Sequence, residues 1–386
     1  MSNQKRNIDL YKKNHMKSMN HMIDKEDQKV GRFVMALHEE EDQKAGKFVM
    51  ALHEEEEDQK AGKFVMALHE EEEDQKAGKF VMALHEEEED QTTILSQKKN
   101  FHLYFLNAEQ IINNMFTLVH LEAGNRVNEL NLKKQYISIL NKLQGTNFHD
   151  KDSVFVDFSE EFGEYLVHCG MANKEDMNKK DFLFTLTEQE YILNNIKKAM
   201  NLIKVINSNL HYLICRVIGT IGCIRKKGYG GGSVSSSIGM IWINPLSRWN
   251  FVDYAEAIVH EFIHNVLFLD DMVNNIFPQP DQLTNSDAMV TSTIRKTKRG
   301  LDKSLHSAAV TTGLMYFYQA LNNTQKRDAF FQPLLKTVLE IKRVNSSYMT
   351  ERGHQINDDM LHILETMNFN IIDKKLHLSS VIKRLV

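Results

Sequence analysis

The chain has 386 residues, of which 42% are hydrophobic, so it is long enough to bury at least one substantial core. Its net charge is −5 and its basic residues form no recognisable motif, which does not favour nucleic-acid binding. No stretch approaches about 18 uncharged apolar residues, so membrane spanning is not predicted. Three widely spaced cysteines without a CxxC pair predict reduced thiols in a cytoplasmic protein.

The N-terminal segment, residues 1–25, is basic and polar and has no apolar run of signal-peptide length. Secretion is therefore not predicted. Because this segment precedes a set of repeats, we interpret it as leader-like.

Residues 26–91 repeat one acidic peptide four times, with the unit EDQKAGKFVMALHEEE. The step between copies is 15 residues once and 16 thereafter. At about 100° per residue, a 16-residue step turns a helix by roughly 160°, so the apolar clusters would not form one stripe to bury. Copies two to four are identical even at positions that would face solvent. The repetition therefore indicates that the peptide itself matters or that it was copied recently, although a solvated, partly helical linker is an alternative.

The charges divide the chain at the same place. Residues 26–91 carry 21 acidic and 8 basic side chains, a net of −13, so the remainder sums to +8. An acidic peptide joined to a basic body can be attracted by it over roughly a Debye length of 10 Å.

Residues 92–386 are predicted to form the folded domain. Segments 101–145 and 187–216 have the spacing of amphipathic helices. A glycine-rich break at 228–233 predicts a flexible turn, and residues 237–244 predict a strand. The expected fold class is mainly α (α+β), with a small sheet next to a metal-binding helix.

The motif His260-Glu261-Phe-Ile-His264 has the HExxH pattern. Residues four apart lie one above the other on a helix, so both imidazoles can reach a single divalent ion. Glu261 projects beside them, where it can orient or deprotonate a metal-bound water. The apolar residues Ala255, Ile258, Val259, Phe262, Ile263 and Val266 gather on another side, which is predicted to face the core.

Two imidazoles rarely suffice, so a third ligand is expected. The region where a thermolysin-like glutamate would stand offers only Asp281 and Asp287. His306 is the better candidate, because it opens an apolar helix whose face could turn toward the first.

Together these residues resemble the HExxH-type, 2-oxoglutarate-dependent peptide β-hydroxylases, which modify ribosomally made peptides. The resemblance rests on HExxH followed by Arg295-x3-Arg299-x6-His306, with Leu305-His306 leading into a small-residue helix. It covers roughly residues 230–320 well and the helical remainder weakly.

The resemblance implies that His260, His264 and His306 bind Fe(II) and that Glu261 supports the site without acting as a hydrolytic base. It also implies that Arg295 or Arg299 binds the far carboxylate of 2-oxoglutarate, since a guanidinium holds a carboxylate through paired hydrogen bonds. A solvated patch or peptide-binding rim is the alternative for these arginines.

The expected function joins both halves of the chain, as a peptide hydroxylase fused to its own multi-copy substrate and acting in cis or in trans. The predicted modified residues are one histidine or one aspartate per copy: His38, His53, His69, His85, Asp42, Asp58, Asp74 and Asp90.

Two other functions remain open from the sequence. A zinc metallopeptidase would use Glu261 as general base and Zn(II) as metal, with the repeats as inhibitor or self-substrate. A non-catalytic metal-binding scaffold would display the repeats to a partner.

Overall fold

The structure is a computed structural model that describes residues 4–9, 101–123, 131–177, 182–226 and 229–378. The repeats, with all eight candidate histidines and aspartates, lie outside the described residues. Residues 4–9 belong to the same compact unit as His102 and the chain that follows it.

The described chain is mainly helical with a small sheet, which confirms the predicted fold class. Residues 4–9 are helical as well. The longer chain contains the helices α1 (Ala108–Ala123), α2 (Leu132–Gln144), α3 (Glu160–His168), α4 (Lys174–Met177), α5 (Leu186–Ile206), α6 (Ser208–Val217), α7 (Phe251–Asn274), α8 (Leu301–Ala320), α9 (Thr324–Asp328), α10 (Phe331–Arg343), α11 (Glu351–Thr366) and α12 (Asn370–Leu376).

The strands form two small sheets. Their bounds are β1 (Phe155–Asp157), β2 (Thr220–Cys223), β3 (Gly231–Gly232), β4 (Met240–Ile243), β5 (Met289–Thr291) and β6 (Lys298–Gly300). The first sheet has the order β1-β2-β4-β3, with only β3 antiparallel to its neighbour. The predicted glycine-rich turn therefore contains a short strand, because Gly231 and Gly232 pair with Ile243 and Trp242. β5 and β6 form a separate antiparallel hairpin.

The segment 187–216, in which amphipathic helices were predicted, contains two helices separated at Asn207. The Asn207 side chain accepts hydrogen bonds from the backbone N–H groups of Asn209 and Leu210, both at 3.0 Å. An asparagine in this position satisfies N–H groups that have no intrahelical partner, so α6 begins there as a new helix.

α7 is the central helix of the described unit. It begins at a capping box formed by Asn250 and Asp253, and it packs against α1, α5, α8 and strand β4. All six apolar residues that were predicted to face the core are buried: Ala255, Ile258, Val259, Phe262, Ile263 and Val266.

The sheet fixes the rotation of α7 through one buried amide. Asn265 accepts a hydrogen bond from the backbone N–H of Gly239 at 2.8 Å and donates to the carbonyl of Met240 at 3.1 Å. With that face held against β4, the side of α7 that carries His260 and His264 is left for another element.

Among the helices of the described ranges, none is both long and apolar enough to cross a membrane.

Candidate metal centre

Helices α7 and α8 pack side by side and run in opposite directions. Glu256 contacts Tyr318 at one end of the pair, and Phe268 contacts His306 toward the other. Gly313 lies between them, where a side chain would overlap the Cδ1 atom of Ile263. A residue without a side chain at this point lets the two helices approach closely.

This packing brings the three predicted histidines together. The ring centroids of His260 and His264 are 5.1 Å apart, and those of His264 and His306 are 5.4 Å apart. His306 lies in the second turn of α8, not at its start as predicted, and its side chain is buried. The Nδ1 atoms of His264 and His306 are 3.1 Å apart, so one ring donates a hydrogen bond to the other.

All three imidazoles are neutral at pH 7. Burial, together with the positive charge of Arg295, lowers the pKa of His260 to about 4. Burial lowers the pKa of His306 to about 3. Burial also brings the pKa of His264 well below its ordinary value, with further contributions from the two other histidines and Arg299. A neutral imidazole has the lone pair that a metal ion requires.

Glu261 lies next to this cluster, on the side of α7 that faces β4. Its Oε1 atom is 3.9 Å from Nε2 of His260, and its buried Oε2 atom has no hydrogen-bond partner. Burial raises the pKa of Glu261 to about 7, and the Ser233 hydroxyl acts in the opposite direction. A buried carboxyl with an unpaired oxygen is costly for the fold, which is typical of a group retained for binding or catalysis.

The β5–β6 hairpin carries the two predicted arginines, and it is attached to α8 directly beside His306. Ser307 receives hydrogen bonds at 3.1 Å from the backbone N–H of Ile294 and at 3.0 Å from the Ser292 hydroxyl. β6 continues into α8 through Gly300, so the hairpin and the third histidine are held by the same short stretch of chain.

Arg295 and Arg299 are close enough to the cluster to act on it electrostatically. Arg295 contributes to the low pKa of His260, and Arg299 contributes to that of His264. Both arginines are half-buried. The hairpin thus places one guanidinium toward each histidine of the HExxH motif.

The side chains that flank the cluster differ at its two ends. At one end Phe268 stacks on His264 and approaches His306, with ring centroids 6.1 and 4.7 Å apart. At the other end Tyr318 donates a hydrogen bond to Glu256, and Lys326 lies 3.3 Å from the tyrosine oxygen. Glu256, His260, His264 and Phe268 are spaced four residues apart, so they form one stripe along α7.

No protein-family model matches this chain. A comparison with curated proteins finds no significant match either.

Within the described residues, no three histidine, cysteine, aspartate or glutamate side chains are already arranged so that they could hold a metal ion. In the histidine cluster, His264 and His306 are hydrogen-bonded to each other, and metal binding would replace that bond. The chemistry and spacing of the donors nevertheless fit a metal, because imidazoles bound to one ion at about 2.1 Å have ring centroids roughly 5 Å apart.

Three supporting residues were not identified from the sequence: Asn265, Ser233 and Ser307. Asn265 donates to the Ser233 hydroxyl at 3.1 Å, although the two are 32 residues apart. A weak signal exists for Ser307, which directly follows His306 in an otherwise apolar helix. Nothing in the local pattern marks Ser233, because its role depends on how β3 and β4 meet α7.

Proposed function

We propose that this protein is an Fe(II)- and 2-oxoglutarate-dependent peptide hydroxylase that modifies the repeats of its own chain, in cis or in trans. The observation that carries the proposal is the contact between His306 and His264, 42 residues apart, beside two arginines that act on the same cluster. Chance HExxH sequences have no reason to meet a third neutral imidazole and a pair of guanidinium groups.

His260, His264 and His306 would hold the metal. Bound Fe(II) would supply the oxidation of a C–H bond to C–OH, with 2-oxoglutarate and dioxygen as cosubstrates. One oxygen atom goes to the peptide and the other to succinate, while CO₂ leaves. No further electron donor is needed, because 2-oxoglutarate is the reductant.

Arg295 or Arg299 would bind the distal carboxylate of 2-oxoglutarate. The hydrogen bonds of Ser307 to the hairpin fix these arginines relative to His306, so a cosubstrate held by a guanidinium has a defined direction toward the metal ligands. Phe268 covers one side of the cluster and limits the access of water there.

The peptide substrate would be the acidic repeat, modified at the β-carbon of a histidine or an aspartate. The repeats have a net charge of −13, whereas the rest of the chain sums to +8, and the β5–β6 hairpin presents exposed Lys296 beside the arginines. Free cysteines are compatible with a reducing compartment, and we place the reaction in the cytoplasm.

The decisive experiment is mass spectrometry of the full chain, purified without air and then given Fe(II), 2-oxoglutarate and air. We expect mass gains in steps of about 16 Da on residues 26–91, because each hydroxylation adds one oxygen atom. The gains should disappear in His306→Ala, together with bound iron, and persist in His168→Ala, which alters an exposed histidine far from α7 in sequence. Absence of any gain in the wild-type chain would refute the proposal.

One observation favours a second function, a zinc metallopeptidase. Glu261 has a pKa of about 7 and an unpaired buried oxygen, as suits a general base that takes a proton from metal-bound water. Incubation with Zn(II) would then yield repeat fragments with no gain of 16 Da. Glu261→Gln would abolish that cleavage, whereas a hydroxylase would still bind Fe(II) and 2-oxoglutarate after the same change.

A further inference from the structure

Six residues near the N-terminus, 4–9, are ordered against the body of the protein. They form less than two turns of helix, and an isolated helix of that length is not stable in water. Ile8 is fully buried. The conformation of the segment therefore comes from its contacts with α1 and α7, which are more than 100 residues away in sequence.

The polar contacts of the segment are with the C-terminal ends of those two helices. Lys5 donates to the carbonyl of Leu121 at 3.1 Å and pairs with Glu122 at 3.3 Å. Asn7 donates to the carbonyl of Val273 at 3.1 Å. Both carbonyls belong to the last turn of their helix, where carbonyls have no intrahelical donor.

These contacts use general properties of helix ends. The C-terminus of a helix has a partial negative charge, which favours a lysine ammonium over a neutral group. An amide N–H₂ satisfies a carbonyl that would otherwise bind water. The recognition surface is defined here as the C-terminal ends of α1 and α7.

The arrangement of side chains around the segment matches a one-sided binding helix. At about 100° per residue, Ile8 lies between Lys5 and Asn7 on one face, and Arg6 points away from that face. The structure agrees, since Ile8 is buried and Arg6 is exposed. Lys5, Asn7 and Ile8 therefore contact the body, and a substitution at Arg6 can serve as the control.

We propose that residues 4–9 are an exchangeable docking segment, and that the C-terminal ends of α1 and α7 form a peptide-binding surface for the segment that precedes the repeats. The partner is the N-terminal segment of this chain, recognised through Lys5, Asn7 and Ile8. The purpose of docking, which is to hold the repeats near the metal centre, rests on the proposed function. The binding itself does not.

The test uses the full-length chain with Ile8→Asp, which frees the surface by placing a charge where an apolar side chain is buried. A fluorescent peptide of residues 1–25 is titrated into this variant and into the wild-type protein, without metal or 2-oxoglutarate. We expect the peptide to bind the variant at least about tenfold more tightly, because in the wild-type protein the attached segment competes at high effective concentration. If the aspartate of Ile8→Asp prevents folding, the full chain with Lys5→Ala/Asn7→Ala is used instead. This second variant keeps the core contact of Ile8.

Two further peptides test which side chains are recognised. A peptide with Ile8→Asp should bind roughly 10- to 100-fold more weakly, since it loses the burial of one large aliphatic side chain. A peptide with Arg6→Ala should bind within about twofold of the wild-type peptide, because Arg6 is exposed.

The outcomes separate this proposal from the proposed function. Failure of the peptide to bind either variant would show that residues 4–9 are a fixed part of the fold, and equal binding to wild-type and variant chains would show a different binding place. Either result overturns the docking segment. Loss of hydroxylation with intact peptide binding would overturn the enzymatic proposal alone.

Discussion

The guanidinium groups of Arg295 and Arg299 each act on a different histidine of the HExxH motif, and both stand on a hairpin held by Ser307. We predict that Arg→Lys at one of these two positions raises the KM for 2-oxoglutarate about tenfold or more. Lysine keeps the charge but loses the paired hydrogen bonds to a carboxylate. Succinate release at varied 2-oxoglutarate concentrations measures this effect.

Iron content should be unchanged in both arginine variants, because neither arginine is a predicted ligand. Lys303→Ala, at an exposed position just after the hairpin, is the matched control and should leave the KM unaltered. If both lysine variants keep the wild-type KM, these arginines belong to a peptide-binding rim instead.

Asp271, in the last turn of α7, provides a prediction about pH. Burial raises its pKa from 3.8 to about 7, although its Oδ1 atom accepts hydrogen bonds from the backbone N–H groups of Ile276 and Phe277. The folded chain therefore keeps a proton that the unfolded chain has lost, and the free energy of unfolding decreases as pH rises from about 4 to 7.

Asp271→Asn should remove this dependence, because an amide oxygen can accept the same two hydrogen bonds without ionising. We expect the variant to gain stability relative to wild type between pH 5 and pH 8, as measured by chemical denaturation. Asp281→Asn, at an exposed site, is the control. Parallel pH profiles for wild type and Asp271→Asn would contradict the prediction.

At the scale of elements, the close approach of α7 and α8 determines whether the histidines meet. Gly313→Ala would place a methyl group on the Cδ1 atom of buried Ile263. The clash is with this atom, because the Cγ1 atom of Ile263 would be 3.6 Å from the new methyl group, an ordinary contact distance. We predict a loss of about 1–2 kcal/mol in the free energy of unfolding and weaker iron binding, because overpacking separates the helices.

Ile263→Val in the same chain should reverse most of this effect, since valine lacks Cδ1. The single Ile263→Val variant gives the cost of the missing methyl group, about 1 kcal/mol, and completes a double-mutant cycle. Thermal and denaturant unfolding with iron titration check all four chains. Additive effects of the two changes would mean that Ile263 moves aside and that Gly313 does not set the helix separation.

The elements that the sequence predicted best are those set by local periodicity. The core-facing side of α7 and the side that carries His260 and His264 follow from spacing along one helix, and all six predicted core positions are buried. The break between α5 and α6 was missed, although Asn207 followed by Ser208 is a local start signal. His306 was predicted as a ligand from its place at the start of an apolar helix and was also implied by the resemblance, but only the packing of α8 onto α7 brings it to His264.

The supports of the site could not be predicted, because they depend on contacts between distant parts of the chain. Asn265 is an ordinary polar residue until β4 presents Gly239 and Met240 to it. Similarly, residues 4–9 have no helical pattern strong enough to predict a helix, and their order depends on Leu121 and Val273.

At the scale of the whole molecule, the described residues on either side of 10–100 contact the same part of the body. On the N-terminal side, Asn7 binds the carbonyl of Val273 near the end of α7. On the other side, the Arg352 guanidinium lies 3.7 Å over the Tyr104 ring and donates to Asp270 at 2.8 Å. Asp270 and Val273 are one turn apart, and His264 is roughly 9 Å from Asp270 along the helix axis.

For action in cis within the proposed function, these two attachments lead to a prediction about the order of the copies. Ile8→Asp should release the N-terminal attachment. The effective concentration of each copy near the body is then set by the length of chain that connects it to residue 101. The second copy (His53) is 48 residues before that point and the fourth (His85) is 16. Because effective concentration falls with the length of the connecting chain, we expect modification of the second copy to slow severalfold more than that of the fourth.

Copies two to four have the same sequence, so position along the chain is the only difference between them. Fragmentation mass spectrometry of the intact chain during a hydroxylation time course distinguishes the copies by their distance from the chain ends, and measures the three rates in Ile8→Asp, Arg6→Ala and wild-type chains. Arg6→Ala should behave as wild type, because Arg6 does not face the body. An equal decrease at all copies would mean that Ile8 affects the metal centre itself, whereas unchanged rates would mean that the C-terminal attachment alone delivers the repeats.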